Sequence, residues 1–106
     1  MGFIDLNNIN KKQIVPGCEG KFIHTEHMTV VYWKIKAGSQ IPEHSHPHEQ
    51  VTTIIEGEFV LTSNDETKSV KPGEIAVFPS NVKHSGKAIT DCYIIDVFHP
   101  VREDYK

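Results

Sequence analysis

Apolar and polar positions alternate along this chain or bunch for a few residues, and nowhere do they recur at the spacing of a helix. The clearest runs are MTVVYWKIK (28–36), EQVTTIIEG (49–57), EFVLTS (58–63) and DCYIIDVFHP (91–100), all rich in β-branched and aromatic residues. KFIHTE (21–26), KSVKPGEIAVFPS (68–80) and HSGKAIT (84–90) read as further strands. Gly57, the polar turn NDET (64–67) and Pro72-Gly73 punctuate them. AGSQIPEHSHP (37–47) reads as an irregular connection, and the polar tail VREDYK (101–106) is expected on the surface or over a barrel mouth. Eight to ten short, evenly spaced strands predict an all-β sandwich or barrel. With 106 residues and no repeat or linker, residues 1–106 are expected to form a single domain.

Composition narrows the partners. A net charge of -3 with scattered Lys and Arg gives no basic stripe, so no nucleic-acid partner is expected. No apolar run approaches the roughly 20 residues that span a bilayer, so no membrane partner is expected. The N-terminus lacks the basic-then-apolar pattern of a signal peptide, and a cytoplasmic location is expected. Cys18 and Cys92 have no CxxC partner and are expected to be small apolar fillers.

The chemistry concentrates in PEHSHPHEQ (42–50), where His44, His46 and His48 alternate and Gln50 continues the parity. In an extended segment these side chains share one face and Glu49 takes the other, which offers a reason for Gln50 rather than Glu49 to complete the set. Imidazole is the commonest protein ligand of divalent transition metals, and a His-x-His pair can aim two nitrogens at one ion. His84, opening a later strand, is the natural third nitrogen. His24, His27 and His99, standing alone, read as ordinary surface or hydrogen-bonded histidines. His48 is expected at the cavity or on its rim. A second cluster lies near the C-terminus. Asp96 sits among apolar neighbours on the parity of Ile94 and Phe98, and Arg102 follows six residues later. A carboxylate so placed needs a partner or a job. Composition leaves open an Asp96–Arg102 or Asp96–backbone pairing beside an acid/base role.

Gly38, His44, His46, Gln50 and Gly57 resemble, in identity and spacing, the first sequence motif of the cupins, with Gln50 where that motif carries Glu. Gly73, Pro79 and His84 resemble the second motif, with Ala88 where Asn usually ends it. The motifs span 38–57 and 73–88. The resemblance implies a single-domain all-β cupin double-stranded β-helix, or jelly roll, with one divalent metal held by His44, His46, Gln50 and His84. Zn²⁺, Ni²⁺, Mn²⁺ and Fe²⁺ all suit such ligands. HSHPHEQ, PSNVKH and DVFHPVREDY further resemble the small single-domain cupins of pectin and alginate breakdown, which linearise 4,5-unsaturated uronates by ring opening and tautomerisation. That resemblance implies an isomerase-type enzyme with Asp96 and Arg102 catalytic, and with Phe98, Arg102 and His48 contacting a small anionic sugar acid. A homodimer is expected by the same analogy. An iron-dependent dioxygenase and a non-catalytic sugar-acid-binding cupin are the alternatives.

Overall fold

The computed structural model describes residues 2–106. Ten strands follow in order: β1 (Lys12–Val15), β2 (Cys18–His24), β3 (Thr29–Ile35), β4 (Gln40–His44), β5 (Glu49–Glu56), β6 (Phe59–Ser63), β7 (Glu66–Val70), β8 (Ile75–Phe78), β9 (His84–Ala88) and β10 (Cys92–His99). They form two antiparallel sheets, ordered β1-β2-β3-β10-β5-β8 and β4-β9-β6-β7. This is the all-β jelly roll that the sequence resemblance implies.

Strict alternation fixes which face is buried. Along β10, Cys92, Ile94, Asp96 and Phe98 point inward, and along β5 so do Gln50, Thr52 and Ile54. A one-residue slip would expose the whole set, so register is tightly specified. β10 lies between β3 and β5, pairing Asp96 with Val31 on one side and Thr52 on the other, and Phe98 with Gln50. Phe22, Val31, Trp33, Ile54, Phe59 and Ile94 belong to one buried hydrophobic cluster. The polar residues Gln50, Thr52, His46, His84, Asp96 and Arg102 are also buried, and their grouping marks the site.

Two strands lie where the sequence pattern showed none. β1 is an edge strand with three exposed residues, and β4, within the expected irregular segment, is mostly exposed and contains Pro42. Neither has a one-sided apolar face to betray it. Gly38, Gly57 and Gly73 take φ of +85°, +90° and +91°, a conformation that suits glycine. Asn64 and Asp65, both at positive φ, make the tight β6–β7 hairpin turn. Cys18 and Cys92 are free and buried, and burial raises both thiols above their ordinary pKa. Among the described residues no helix is long and apolar enough to cross a membrane.

Candidate metal centre

His44 ends β4 and stands directly opposite His84, which opens β9; their ring centroids are 4.3 Å apart. His46 lies between β4 and β5, and Gln50 is the second residue of β5. The histidine run is therefore not one extended segment. It breaks at residues 45–48 and carries the chain from the four-stranded sheet to the six-stranded one. Convergence comes from the two sheets facing each other, and strand parity does not explain it. The carbonyl of His46 accepts from the Asn81 amide (2.7 Å), which ties this connection to the turn ahead of β9.

Each of the three imidazoles donates from Nδ1 to a carbonyl two residues away: His44 to Pro42 (2.8 Å), His46 to His48 (3.0 Å) and His84 to Val82 (3.0 Å). This shared pattern leaves Nε2 as the lone-pair nitrogen on all three rings. One ligand atom from each histidine lies within 4.8 Å of the others. His84 Nε2 is buried with no hydrogen-bond partner. His46 Nε2 faces Gln50 Oε1 at 3.0 Å, so two acceptors confront each other. Orphaned nitrogen, opposed lone pairs and a neutral donor set together fit a divalent transition ion, which these four residues would hold.

Burial is the largest influence on the buried rings. It pushes His46 down to about 4, helped by the positive charge of Arg102 and by His84. His84 and His48 are lowered too, again mainly by burial. The rings are thus neutral, as a metal requires. The linkage sign follows. Between pH about 6.5 and about 4 the unfolded chain protonates at residue 46 while the folded chain does not, so this contribution to stability is complete above 6.5 and falls as pH drops. It amounts to at most about 3 kcal/mol. Urea midpoints of the metal-free wild type should fall relative to those of His46→Gln across that window; a pH-independent difference contradicts the assignment.

Behind the candidate ligands, Asp96 is buried and hydrogen-bonded at both oxygens. Trp33 Nε1 donates to Oδ2 (2.9 Å) and Thr52 Oγ1 to Oδ1 (2.6 Å). Desolvation raises its pKa, against these hydrogen bonds and the charge of Arg102. Arg102 does not pair with Asp96. Its Nε and Nη2 bind both oxygens of Asp104 (3.0 and 2.8 Å), which leaves Nη1 buried and unpartnered. The guanidinium carbon lies 4.7 Å from the Phe98 ring centroid and 4.0 Å from that of Tyr105. Of the C-terminal tail, Arg102 is buried and Tyr105 half-buried against the core, while Glu103, Asp104 and Lys106 stay exposed.

His44, Gln50, His84, Asp96, Phe98 and Arg102 line one cavity of about 80 Å³. His46 and His48 are not among its lining residues. His48 Nδ1 is buried without a partner, close enough to Arg102 and Asp104 to feel their charges. Sequence reasoning missed Thr52, Trp33 and Tyr105. Thr52 shares the inward parity of Gln50, the one local signal that pointed to it, whereas Trp33 reaches Asp96 across 63 positions.

Comparison with known proteins places this geometry in a wider set. A family model described as Cupin domain matches residues 31–98. An uncharacterized protein of Methanocaldococcus jannaschii is 31% identical over 85 residues, spanning 76% of this chain and 73% of that protein. Among solved structures, KdgF from Halomonas sp. superposes with a TM-score of 0.92 at 27% identity, covering 99% of this chain and 100% of that one. An RmlC-like cupin from Shewanella frigidimarina gives 0.93 at 25% identity, covering 100% of this chain and 96% of that one.

Proposed function

This chain belongs to the cupin domain family, and from that premise we propose that residues 1–106 act as one metal-dependent isomerase, converting 4,5-unsaturated uronates to linear ketonised sugars. The observation that carries the reading is the shared cavity. It joins a buried carboxyl, Asp96, and a buried arginine with one free donor, Arg102, to the metal-ligand set. The end-to-end likeness to KdgF supports it, as does the spacing of Asp96, Phe98 and Arg102.

When bound, a divalent ion (Zn²⁺, Ni²⁺, Mn²⁺ or Fe²⁺) held by His44, His46, Gln50 and His84 supplies Lewis-acid polarisation of substrate oxygens. The chain's own residues do the rest. Arg102 Nη1 donates to the uronate carboxylate, a charge-assisted contact that its pairing with Asp104 limits to one nitrogen. Phe98 supplies the apolar wall, and His48 contacts the sugar at the rim. Asp96 takes the proton of the hemiacetal hydroxyl as the bond from that carbon to the ring oxygen breaks, giving an aldehyde. The ring oxygen leaves as an enolate, which becomes a ketone when Asp96 returns that same proton to C4. The formula is unchanged, so no oxidant is needed. Burial raises the carboxyl of Asp96, which suits a group that takes up and returns a proton. The cavity is well below the roughly 300 Å³ of ordinary small-molecule pockets, so it takes in only part of a six-carbon acid.

Ultraviolet absorbance of the conjugated double bond tests this. On adding metal-loaded protein to an unsaturated galacturonate it should decay much faster than in buffer. Decay at the buffer rate rejects the reaction for that substrate, and oxygen uptake with Fe²⁺ would replace it with a dioxygenase. A second copy of the chain is the proposed partner. Ile55, Ile75 and Val77 stand exposed at the β5–β8 edge of the large sheet, where a second copy would cover them. A monomeric mass in analytical ultracentrifugation at working concentration rejects the dimer.

A further inference from the structure

The buried side chains behind the metal ligands form one hydrogen-bonded line with a defined direction. Trp33 Nε1–H donates to Asp96 Oδ2, Thr52 Oγ1–H donates to Asp96 Oδ1, and Gln50 Nε2–H donates to Thr52 Oγ1 at 3.0 Å. An indole is a donor only, a carboxylate an acceptor only, and a hydroxyl has a single proton. Once that proton is given to Asp96, Thr52 has only lone pairs to offer Gln50. The Gln50 amide must then turn its NH₂ to Thr52 and its oxygen to His46, as observed. With the hydroxyl reversed, the NH₂ would face the lone pair of His46 and the ion position, where nitrogen bearing two hydrogens is no ligand.

We propose that Thr52 is a positioning residue: its hydroxyl, oriented by Asp96, sets the direction of the Gln50 amide and so makes residue 50 a metal ligand. The same logic accounts for glutamine at this position. A glutamate would bring a second acceptor-only group to a hydroxyl whose one proton is already committed, with the Asp96 carboxylate close behind it. Among the four proposed ligands Thr52 hydrogen-bonds only the Gln50 amide nitrogen, and because it also lines the cavity the test reads metal affinity rather than turnover. The inference rests on the metal-centre reading and is independent of the substrate.

The test is Zn²⁺ affinity, measured by competition with a chromophoric chelator on metal-stripped protein. Thr52→Val keeps the shape and removes the hydroxyl; it should weaken Zn²⁺ binding about 10–100-fold, the usual effect of losing an outer-shell partner. Thr52→Ser should stay within about threefold of wild type. In a Gln50→Glu background the two carboxylate oxygens are equivalent and no amide can turn, so adding Thr52→Val should change affinity by less than about threefold. An undiminished affinity in Thr52→Val, or an equal loss in both backgrounds, overturns the positioning role. Should Thr52→Val fail to fold, wild type with Zn²⁺ gives the answer by nitrogen-15 spectroscopy. One Gln50 side-chain amide proton should exchange slowly, held by Thr52, and two fast-exchanging protons reject the proposal. Wild type that binds no Zn²⁺ rejects the metal centre itself, a separate failure.

Discussion

Replacing His84 by alanine is expected to cut divalent-metal affinity by more than about 100-fold, beyond the 10–100-fold typical of changes outside the ligand shell. The reason lies in where the ligands come from. His44, His46 and Gln50 are supplied by β4, β5 and the connection between them, while His84 alone comes from β9. Without it, the set loses one of its three imidazole nitrogens and the only ligand from outside residues 44–50. In the metal-free protein His84 Nε2 is buried without a partner, so the ring gives up a solvated lone pair there and recovers nothing from it. Its ring does stack on Phe78, with centroids 4.4 Å apart, and truncation sacrifices that packing. The two roles separate cleanly in measurement. If His84 is a ligand, chelator competition shows the affinity loss, and the rise in melting temperature on adding metal disappears. If His84 only packs, the variant melts lower but still gains the same increment from metal.

Asp96→Asn should lower kcat on the unsaturated uronate by about 10²–10⁴, the usual worth of a general acid–base group. The measurement is made at saturating metal and substrate. This matters because Asp96 also orients Thr52, and a weaker metal site would otherwise be mistaken for lost proton transfer. The position leaves little room for a purely electrostatic role. Its carboxyl is buried, lines the cavity and holds no salt bridge. Arg102, whose charge acts on it, is paired with Asp104. A fall in kcat of less than tenfold at full metal occupancy would reduce Asp96 to a positioning element, leaving proton transfer to another group.

The strands that were legible in the sequence are those with one apolar face. β3, β5 and β10 each bury alternate residues, and their period of two is visible without a structure. β1 and β4 are edge strands with little burial, and β4 holds Pro42, Glu43 and His44 in succession, so nothing in their pattern separates them from loop. The histidines were legible as a group because they crowd within a few positions. Their geometry was not: His44 and Gln50 belong to different sheets, and single-strand parity gave a reason that the fold replaces. The partners of Asp96 were hidden for a related reason. Thr52 lies 44 positions away and Trp33 lies 63, and only the pairing of β10 with β3 and β5 brings them together. The pairing of Arg102 with Asp104 spans two residues and was open to view, yet the turn that makes it bidentate belongs to the short 3₁₀ segment Glu103–Tyr105.

Anomalous diffraction from crystals of the protein loaded with Zn²⁺ tests the metal centre most directly. The four-ligand arrangement predicts one strong peak per chain, about 2.0–2.2 Å from a nitrogen of His44, His46 and His84 and from Gln50 Oε1. No peak after loading, or a peak elsewhere with these four side chains still in mutual contact, would contradict it.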